Sequence, residues 1–169
     1  MIKAARDAYE ALTEVQKQQV TKLNTLTTAE SDYKKLVEAE KKKVSDTISK
    51  INNIGDVTLN YESAIKEARD AYNEIAESYK QNVTNYDTLT KAEATLDQLK
   101  ADKAEAEKVD KKIDAIGEVT IDSEKAIKEA RAAYDKLTDS QKSFVTKLDA
   151  LTAAEAKLTK LICEVKVVP

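Results

Sequence analysis

A block of about 62 residues recurs along this chain, and this repetition constrains the fold more than any other feature. Residues 64–69 (AIKEAR) return as residues 126–131, and residues 2–6 (IKAAR) match residues 65–69 (IKEAR) at an offset of 63. Other positions keep the same step in sets of three: Tyr9, Tyr72 and Tyr134; Val20, Val83 and Val145; Leu26, Leu89 and Leu151. A repeat of this length is one small structural unit that packs on its neighbours.

The scarcity of Gly and Pro narrows the fold class. Gly occurs twice and Pro once in 169 residues, whereas 35% of the residues are charged and 41% are hydrophobic. Strands and tight turns depend on Gly and Pro, so the composition favours helices joined by few turns. The sequence predicts an all-α fold.

The first helix of each repeat is predicted to be long, because an apolar stripe runs through it at steps of three and four residues. In one copy the stripe comprises Ala92, Leu96, Leu99, Ala106, Val109, Ile113 and Ile116. Gly117 follows this stripe, and Gly55 holds the same place one copy earlier. Glycine just past a helix end adopts the left-handed conformation at little cost. We therefore predict that Gly55 and Gly117 end helices with positive φ.

The second helix supplies the predicted core of each repeat. Two copies of its apolar face are Ile65, Ala68, Tyr72 and Ile75, and Ile127, Ala130, Tyr134 and Leu137. The first copy has Ile2, Ala5, Tyr9 and Leu12, which we expect to be less buried. The recurring tyrosine is interpreted as a core residue because it lies on the apolar stripe. A sugar-stacking platform is the alternative.

The third helix is predicted to be short. It starts at a capping box, Thr138 to Gln141, which Thr13 to Gln16 also carries. A second box, Thr152 to Glu155, predicts that the next long helix begins there after a bend. One unbroken helix of nearly forty residues is the alternative. Residues 100–108 carry no large apolar side chain, which indicates a solvated helical bridge between packed bundles.

An arginine recurs one turn before the tyrosine, as Arg6, Arg69 and Arg131. We predict ion pairs with the glutamate of the second capping box, Arg69 with Glu93 and Arg131 with Glu155. Binding of an anionic ligand is the alternative for these arginines.

These features together predict an elongated array of about 62-residue three-helix units, joined through long helices and spectrin-like in general character. The domain boundaries follow from the repeat. Residues 1–40 form an N-terminally truncated repeat, 41–103 a complete one, 104–163 another, and 164–169 a tail or linker to a following segment. Such an arrangement suggests a piece of a longer polypeptide.

Several function classes lack their usual residues. The chain has no His and one Cys, Cys163, which we expect to be buried beside Leu161 and Ile162. The 28 basic and 31 acidic residues are interspersed, so no basic field favours nucleic acid. No apolar stretch approaches the ~20 residues of a membrane span. We therefore predict no catalytic, metal or cofactor site, no nucleic-acid partner and no membrane insertion.

Three strings carry a resemblance to a known group of proteins: residues 113–124 (IDAIGEVTIDSE), 126–139 (AIKEARAAYDKLTD) and 153–158 (AAEAKL). They resemble tandem helical repeats of large cell-surface proteins of Gram-positive bacteria, especially clostridia and related Firmicutes. The likeness extends over nearly the whole chain. It implies an extracellular stalk or spacer and supplies no ligand residues.

The predicted function is therefore that of a structural spacer in an extracellular multidomain surface protein. Its partners would be neighbouring repeats and domains of the same polypeptide. An adhesin-type module that binds a host protein or glycan through helical faces is the first alternative, and a cytoplasmic coiled-coil scaffold is the second.

Overall fold

The predicted all-α fold class is confirmed. The computed structural model describes residues 1–167, and the side chains of residues 1–164. Within that range the chain forms nine α-helices, two short 3₁₀ helices and no strand. Residues 168 and 169, which belong to the predicted tail, lie outside the described residues.

Three long helices and six shorter ones make up the fold. In chain order they are α1 (Ile2–Glu10), α2 (Glu14–Lys17), α3 (Leu23–Asn52), α4 (Glu62–Asn73), α5 (Glu77–Lys80), α6 (Tyr86–Asp114), α7 (Glu124–Asp135), α8 (Asp139–Lys142) and α9 (Leu148–Val167). The 3₁₀ helices Leu59–Tyr61 and Ile121–Ser123 precede α4 and α7. Two compact units are present: the first comprises Met1–Asp56 and Tyr61–Ala92, and the second comprises Val57–Asn60 and the chain from Glu93 onward.

The short third helix of the repeat is a single turn with a side-chain cap. The hydroxyl of Thr138 accepts a hydrogen bond from the backbone N–H of Gln141, whose side chain accepts from the Thr138 N–H. Thr13 and Gln16 build the same box. Each box satisfies two N–H groups that would otherwise have no partner at the helix start. The sequence pattern therefore marks these two helix starts correctly.

The second predicted box does not start a helix. The long helices begin four residues earlier, so that Thr27 and Thr152 lie in their second turn. The Thr152 hydroxyl donates to the Leu148 carbonyl (3.0 Å), and Thr27 donates to the Leu23 carbonyl in the same way. A threonine within a helix can bond the carbonyl four residues before it, which makes the sequence pattern ambiguous. The prediction that a helix begins at these threonines is wrong.

The alternative of one unbroken helix of nearly forty residues is also wrong. Helix α8 ends at Lys142 and α9 begins at Leu148. A carboxylate from α6 stabilises the intervening turn: Asp110 accepts hydrogen bonds from the backbone N–H groups of Thr146 (3.1 Å) and Lys147 (3.1 Å). Asp110 stabilises the bend in this copy only, because α3 and α6 begin at the equivalent residues, Leu23 and Tyr86, although Ile48 stands at the place of Asp110 in the earlier copy.

Both glycines adopt the left-handed conformation, with φ of +58° at Gly55 and +60° at Gly117. They follow the ends of α3 and α6 by three residues. An L-residue is strained at these angles because its Cβ approaches the following carbonyl. The chain therefore reverses direction after each of these two helices at a glycine, which has no Cβ and avoids that penalty.

The second compact unit has a continuous apolar core. Its buried members are Val109, Ile113, Ile116, Ile127, Ala130, Leu151, Ala154 and Leu158. They come from α6 and the turn that follows it, from α7 and from α9, so three helices close around one small core. In the first compact unit, the buried apolar residues include Ile51, Ile54, Ile65, Ala68, Ile75, Val83 and Leu89.

The predicted core is buried in part. Five of its eight residues are buried: Ile65, Ala68, Ile75, Ile127 and Ala130. The other three, Tyr72, Tyr134 and Leu137, were predicted to be buried and are half-buried. Tyr134 and Leu137 pack at the rim of the core. The tyrosines lie beneath cationic side chains, which keeps part of each ring near solvent.

The segment predicted to be a solvated bridge has a buried side. Ala106 is fully buried and Asp102 is 4% exposed. Asp102 accepts a hydrogen bond from the hydroxyl of Ser140 at the start of α8. Because Ala and Asp are small, α8 can approach α6 closely here, and the interpretation as a fully solvated bridge is wrong.

Cys163 is exposed, in contrast to its predicted burial. The buried positions of α9 are Leu151, Ala154 and Leu158, and Cys163 falls off the stripe that they define. Among the described residues, no helix is both long and apolar enough to span a membrane.

Candidate functional site

The best candidate for a functional site is a polar cluster whose four members come together in the first and third copies of the repeat. It comprises an arginine and a tyrosine of the second helix, a lysine of the third helix and a glutamate of the following long helix. We call it the arginine–tyrosine cluster; in the third copy it consists of Arg131, Tyr134, Lys142 and Glu155. Among the described residues, no three His, Cys, Asp or Glu side chains group so as to hold a metal ion.

Helix geometry brings the four side chains together. Arg131 and Tyr134 are three residues apart on α7 and therefore lie on one face. Lys142 ends α8, and Glu155 lies in the second turn of α9. The break between α8 and α9 folds these helices back beside α7, so that residues far apart in sequence meet.

Arg131 and Glu155 form the strongest contact of the cluster. The Nε atom of Arg131 donates to Oε1 of Glu155 (2.6 Å), and Nη2 donates to Oε2 (2.6 Å). The planar guanidinium matches both carboxylate oxygens, which makes the pair bidentate. About a third of each side chain is exposed, at 30% for Arg131 and 32% for Glu155. The pair thus links α7 to α9 at the edge of the core.

The ring of Tyr134 has two cations over it. The guanidinium carbon of Arg131 and the Nζ atom of Lys142 each lie 5.5 Å from the ring centroid. This distance is within the range of cation–π attraction. A sugar would have to compete with these cations for the ring, which argues against the stacking-platform alternative.

The first copy of the repeat builds the same arrangement. Arg6 donates through Nε to Glu30 (2.7 Å), and its Nη2 reaches the second carboxylate oxygen. Arg6 and Lys17 lie 5.5 Å and 5.8 Å from the ring centroid of Tyr9. Tyr9 is half-buried, as Tyr72 and Tyr134 are, although α1 has no fully buried residue.

The middle copy adds a second aromatic ring. Arg69 and Lys80 each lie 5.5 Å from the Tyr72 centroid, and Tyr86 stacks on Tyr72 at 4.4 Å with an interplanar angle of 29°. Arg69 also donates to the Tyr86 hydroxyl (3.2 Å). The pairing of Arg69 with Glu93 stays a prediction. Leu23 and Leu148 hold the place of Tyr86 in the other copies, so this stacked pair is specific to the middle copy.

No family model matches the chain, and neither the curated proteins nor the solved structures contain a significant match. What the cluster does must therefore be argued from its own geometry.

The ion pairs shift the pKa values of their carboxyl groups downward. Two hydrogen bonds from Arg131 hold the pKa of Glu155 below its usual value, because they stabilise the charged form more than partial burial destabilises it. Arg6 lowers the pKa of Glu30 in the same way. Both carboxylates are therefore ionised well below neutral pH, and neither is poised to exchange a proton near pH 7.

A third carboxylate, Asp102, lies outside the cluster but has a similar role. The Ser140 hydroxyl donates to it, and so do the side-chain amides of Gln98 (3.0 Å) and Gln141 (3.3 Å). These bonds, that of Ser140 foremost, lower the pKa of Asp102 although burial opposes ionisation. Glu40 holds the corresponding place in α3 and accepts a bond from the Ala76 N–H (2.9 Å), where the threonine cap is absent. A long-helix carboxylate thus supports the third helix in both copies.

The sequence pattern points to the arginines, the tyrosines and Glu155 as residues of interest, whereas the lysines of the cluster were not predicted. Lys17, Lys80 and Lys142 recur at the repeat interval, so the same comparison could have found them. Asp110 has Ile48 as its counterpart, and no recurring pattern marks it.

The cluster is not an open site, because its charged groups bind one another. We call the bidentate pair of arginine and glutamate, Arg131 with Glu155 or Arg6 with Glu30, the clamp. Both acceptor oxygens of Glu155 and the matching donors of Arg131 are engaged with each other. An anionic ligand would have to displace Glu155 from Arg131, or Glu30 from Arg6. The geometry favours a role in holding three helices in register over ligand binding.

Proposed function

We propose that this chain is a run of structural spacer units that separates other parts of an extracellular bacterial surface protein. Each repeat would be a three-helix bundle, and the long helices would join the bundles in an elongated, spectrin-like array. The extracellular setting rests on the resemblance of residues 113–139 to surface-protein repeats. The partners would be neighbouring repeats and domains of the same polypeptide.

One observation carries the proposal: the same bidentate clamp closes two copies of the repeat. Arg6 with Glu30 and Arg131 with Glu155 connect corresponding helices, and 24 residues separate the partners in both pairs. A ligand site keeps its charged groups available to the ligand, whereas these groups are engaged in packing. Repeat units that pack in the same way are expected to share the same inter-helix contact, as these two copies do.

We also propose that the chain has no enzymatic role and no resident cofactor. General acid–base catalysis near neutral pH needs a group whose pKa lies close to the working pH. The carboxylates with resolved shifts in the two clamps, Glu30 and Glu155, are shifted away from neutrality. These shifts support a structural use of the charged residues.

The adhesin-type alternative has one observation in its favour. Tyr33 and Leu36, one turn apart on α3, are 58% and 67% exposed. Exposed aromatic and aliphatic side chains side by side can form a contact surface. Their counterpart positions are more buried: Leu96 is 5% exposed, and Leu99 is half-buried. A binding surface at Tyr33 would therefore be a property of one copy.

Insertion of one more repeat tests the spacer proposal. Duplicating residues 64–125 in frame keeps the repeat register and adds one copy. An elongated array should gain roughly 30–40 Å in maximum dimension by small-angle X-ray scattering, since a 29-residue helix such as α6 spans about 43 Å at ~1.5 Å per residue. For a compact globule of the same added mass, the radius of gyration would increase by only about 2 Å, and the maximum dimension would increase far less than that of an elongated array. Such a small increase in both quantities would overturn the proposal.

A further inference from the structure

The N-terminal part of the first compact unit contains an open apolar groove. Its volume is about 360 Å³, and α1 contributes no buried residue to it. Its apolar lining includes Tyr9, Leu12, Val20, Leu23 and Leu26, and Lys22 lies at its edge. We call it the N-terminal groove.

The corresponding surface of the second compact unit is covered. Ala5 is exposed and Leu26 is half-buried, whereas their counterparts Ala130 and Leu151 are fully buried. Residues at equivalent positions in the two copies thus differ in what packs against them. The N-terminal groove is a packing surface that no described residue fills.

The covered copy shows what fits such a surface. Val109 and Ile113 of α6, and Ile116 just after its end, belong to the same core cluster as Ala130 and Leu151. The spacing of four residues puts Val109 and Ile113 on one helix face, and Ile116 continues this apolar stripe into the following turn. The matching cover is the C-terminal half of a long helix with β-branched residues at these positions.

Charges along the edge of the covered surface favour the same occupant. Asp110 accepts from the N–H groups of Thr146 and Lys147, and Asp114 pairs with the Lys147 ammonium. Thr21 and Lys22 are the counterparts of Thr146 and Lys147, and neither has a carboxylate partner among the described residues. An incoming helix with acidic residues four apart would complement these groups.

We propose that the N-terminal groove binds an amphipathic helix of the type of residues 100–120, a further copy of the repeat's own long helix. Binding would bury Ala5 and Leu26 as Ala130 and Leu151 are buried, and would pair Lys22 with an aspartate. The proposal concerns this surface alone and holds whether or not the array serves as a spacer.

The proposal also predicts a preference at one position. Val15 is 72% exposed. Its counterpart in the covered copy is Ser140, whose hydroxyl donates a hydrogen bond to Asp102. An apolar side chain at the position of Asp102 would cover Val15, whereas aspartate would be desolvated beside it. A peptide with Asp102→Leu should therefore bind the groove more tightly than the parent peptide.

Peptide binding to the full chain provides the test. A synthetic peptide of residues 100–120 should protect the backbone amides of α1 and of residues 20–26 in hydrogen–deuterium exchange measured by mass spectrometry. The matched peptide with Ile113→Asp keeps its length and most of its helix propensity but loses the centre of the apolar face. We expect it to bind at least tenfold more weakly, since a buried Ile is worth about 1.5–3 kcal/mol.

Variants of the chain locate the binding surface. Leu26→Asp should abolish protection, whereas Thr25→Asp, the same change at the exposed neighbouring residue, should leave it intact. Lys22→Glu reverses the edge charge without disturbing the packing of the first compact unit and should weaken binding several-fold. Circular dichroism of each variant verifies that it is folded.

Two results would overturn the proposal. The first is that the backbone amides of α1 and of residues 20–26 stay unprotected in two experiments. One adds the peptide, and the other fuses residues 100–125 ahead of Ile2, which removes the entropic cost of association. The second is concentration-dependent dimerisation of the chain that Leu26→Asp abolishes, which would assign the groove to a second copy of the chain.

Discussion

Arg131 shows how one residue can serve several contacts at the edge of a small core. Its guanidinium forms two hydrogen bonds with Glu155 and lies over the ring of Tyr134. Neither contact is deeply buried, so each contributes modestly to the free energy of unfolding. Their combined effect is directional: they fix the position of α7 relative to α9 and leave the apolar residues to supply most of the stability.

Replacement of Glu155 should reveal a pH-dependent loss of stability. The folded-state pKa of Glu155 lies below its ordinary value of 4.5. The ion pair therefore stabilises fully above that ordinary value, and its contribution disappears as the pH falls through the lower folded-state pKa. We expect Glu155→Gln to lower the stability by about 1 kcal/mol or less at pH 7. Urea denaturation at a series of pH values from 7 downward should show the difference from the parent chain shrink below pH 4.5.

Glu129→Gln is the matched control for this measurement. Glu129 is 59% exposed and its only described ion pair, with Lys125, is 3.9 Å long. Its replacement should change the stability little at any pH. A pH-independent effect of Glu155→Gln would show that the hydrogen-bonding geometry of residue 155 contributes to the free energy of unfolding and that its charge does not.

Gly117→Ala isolates the cost of backbone strain. A Cβ atom built on Gly117 meets nothing within 4 Å, so the substitution creates no clash. The φ of +60° remains unfavourable for alanine. We expect a loss of about 1 kcal/mol or more in thermal or chemical unfolding. An unchanged stability would mean that the turn after α6 can adopt negative φ without loss of packing.

At the scale of the element, two threonine patterns that look alike in sequence have different structural roles. Thr138 lies before α8 and caps it, whereas Thr152 lies inside α9 and donates to the Leu148 carbonyl. The long helices of all three copies begin at equivalent residues, Leu23, Tyr86 and Leu148, four residues before the threonine. Asp110 of α6 stabilises the turn before α9 in the third copy, and the other two copies start at the same place without it.

A pair of alanine substitutions tests this difference. Thr138→Ala removes the acceptor of the Gln141 N–H and should cost about 1 kcal/mol. Thr152→Ala removes only an internal bond and places a better helix former in α9, so the stability should be unchanged or slightly higher. Both residues are exposed, which makes the comparison direct. Equal losses at the two sites would contradict the assigned helix boundaries.

At the scale of the whole molecule, the size of the chain in solution is the decisive property. A compact globule of 169 residues should have a radius of gyration of about 15 Å. A spacer of helical repeats should have a clearly larger radius, because each repeat packs mainly on its neighbours. Small-angle X-ray scattering over a dilution series measures this value. The compact-globule radius, together with a symmetric distance distribution, would support a folded-back binding module instead.

The sequence alone determined the properties that depend on neighbouring residues. Helical periodicity predicted the all-α fold, the Thr138 cap is formed by residues three positions apart, and the position of Gly117 just past the apolar stripe marked the helix end. The repeat also pointed to Arg131 and Glu155 as partners, because both recur at the same interval, although they lie 24 residues apart on different helices. The helical periodicity and the cap follow from local geometry that a linear pattern records directly.

Only the tertiary structure decided the features that depend on distant partners. Asp102 is buried where the Ser140 hydroxyl of α8 donates to it, and the turn before α9 gains hydrogen bonds from Asp110, which lies in another helix. The half-burial of Tyr134 reflects the cations above its ring, one of which comes from α8. The free energy of each of these arrangements comes from groups on different helices, which local periodicity does not encode.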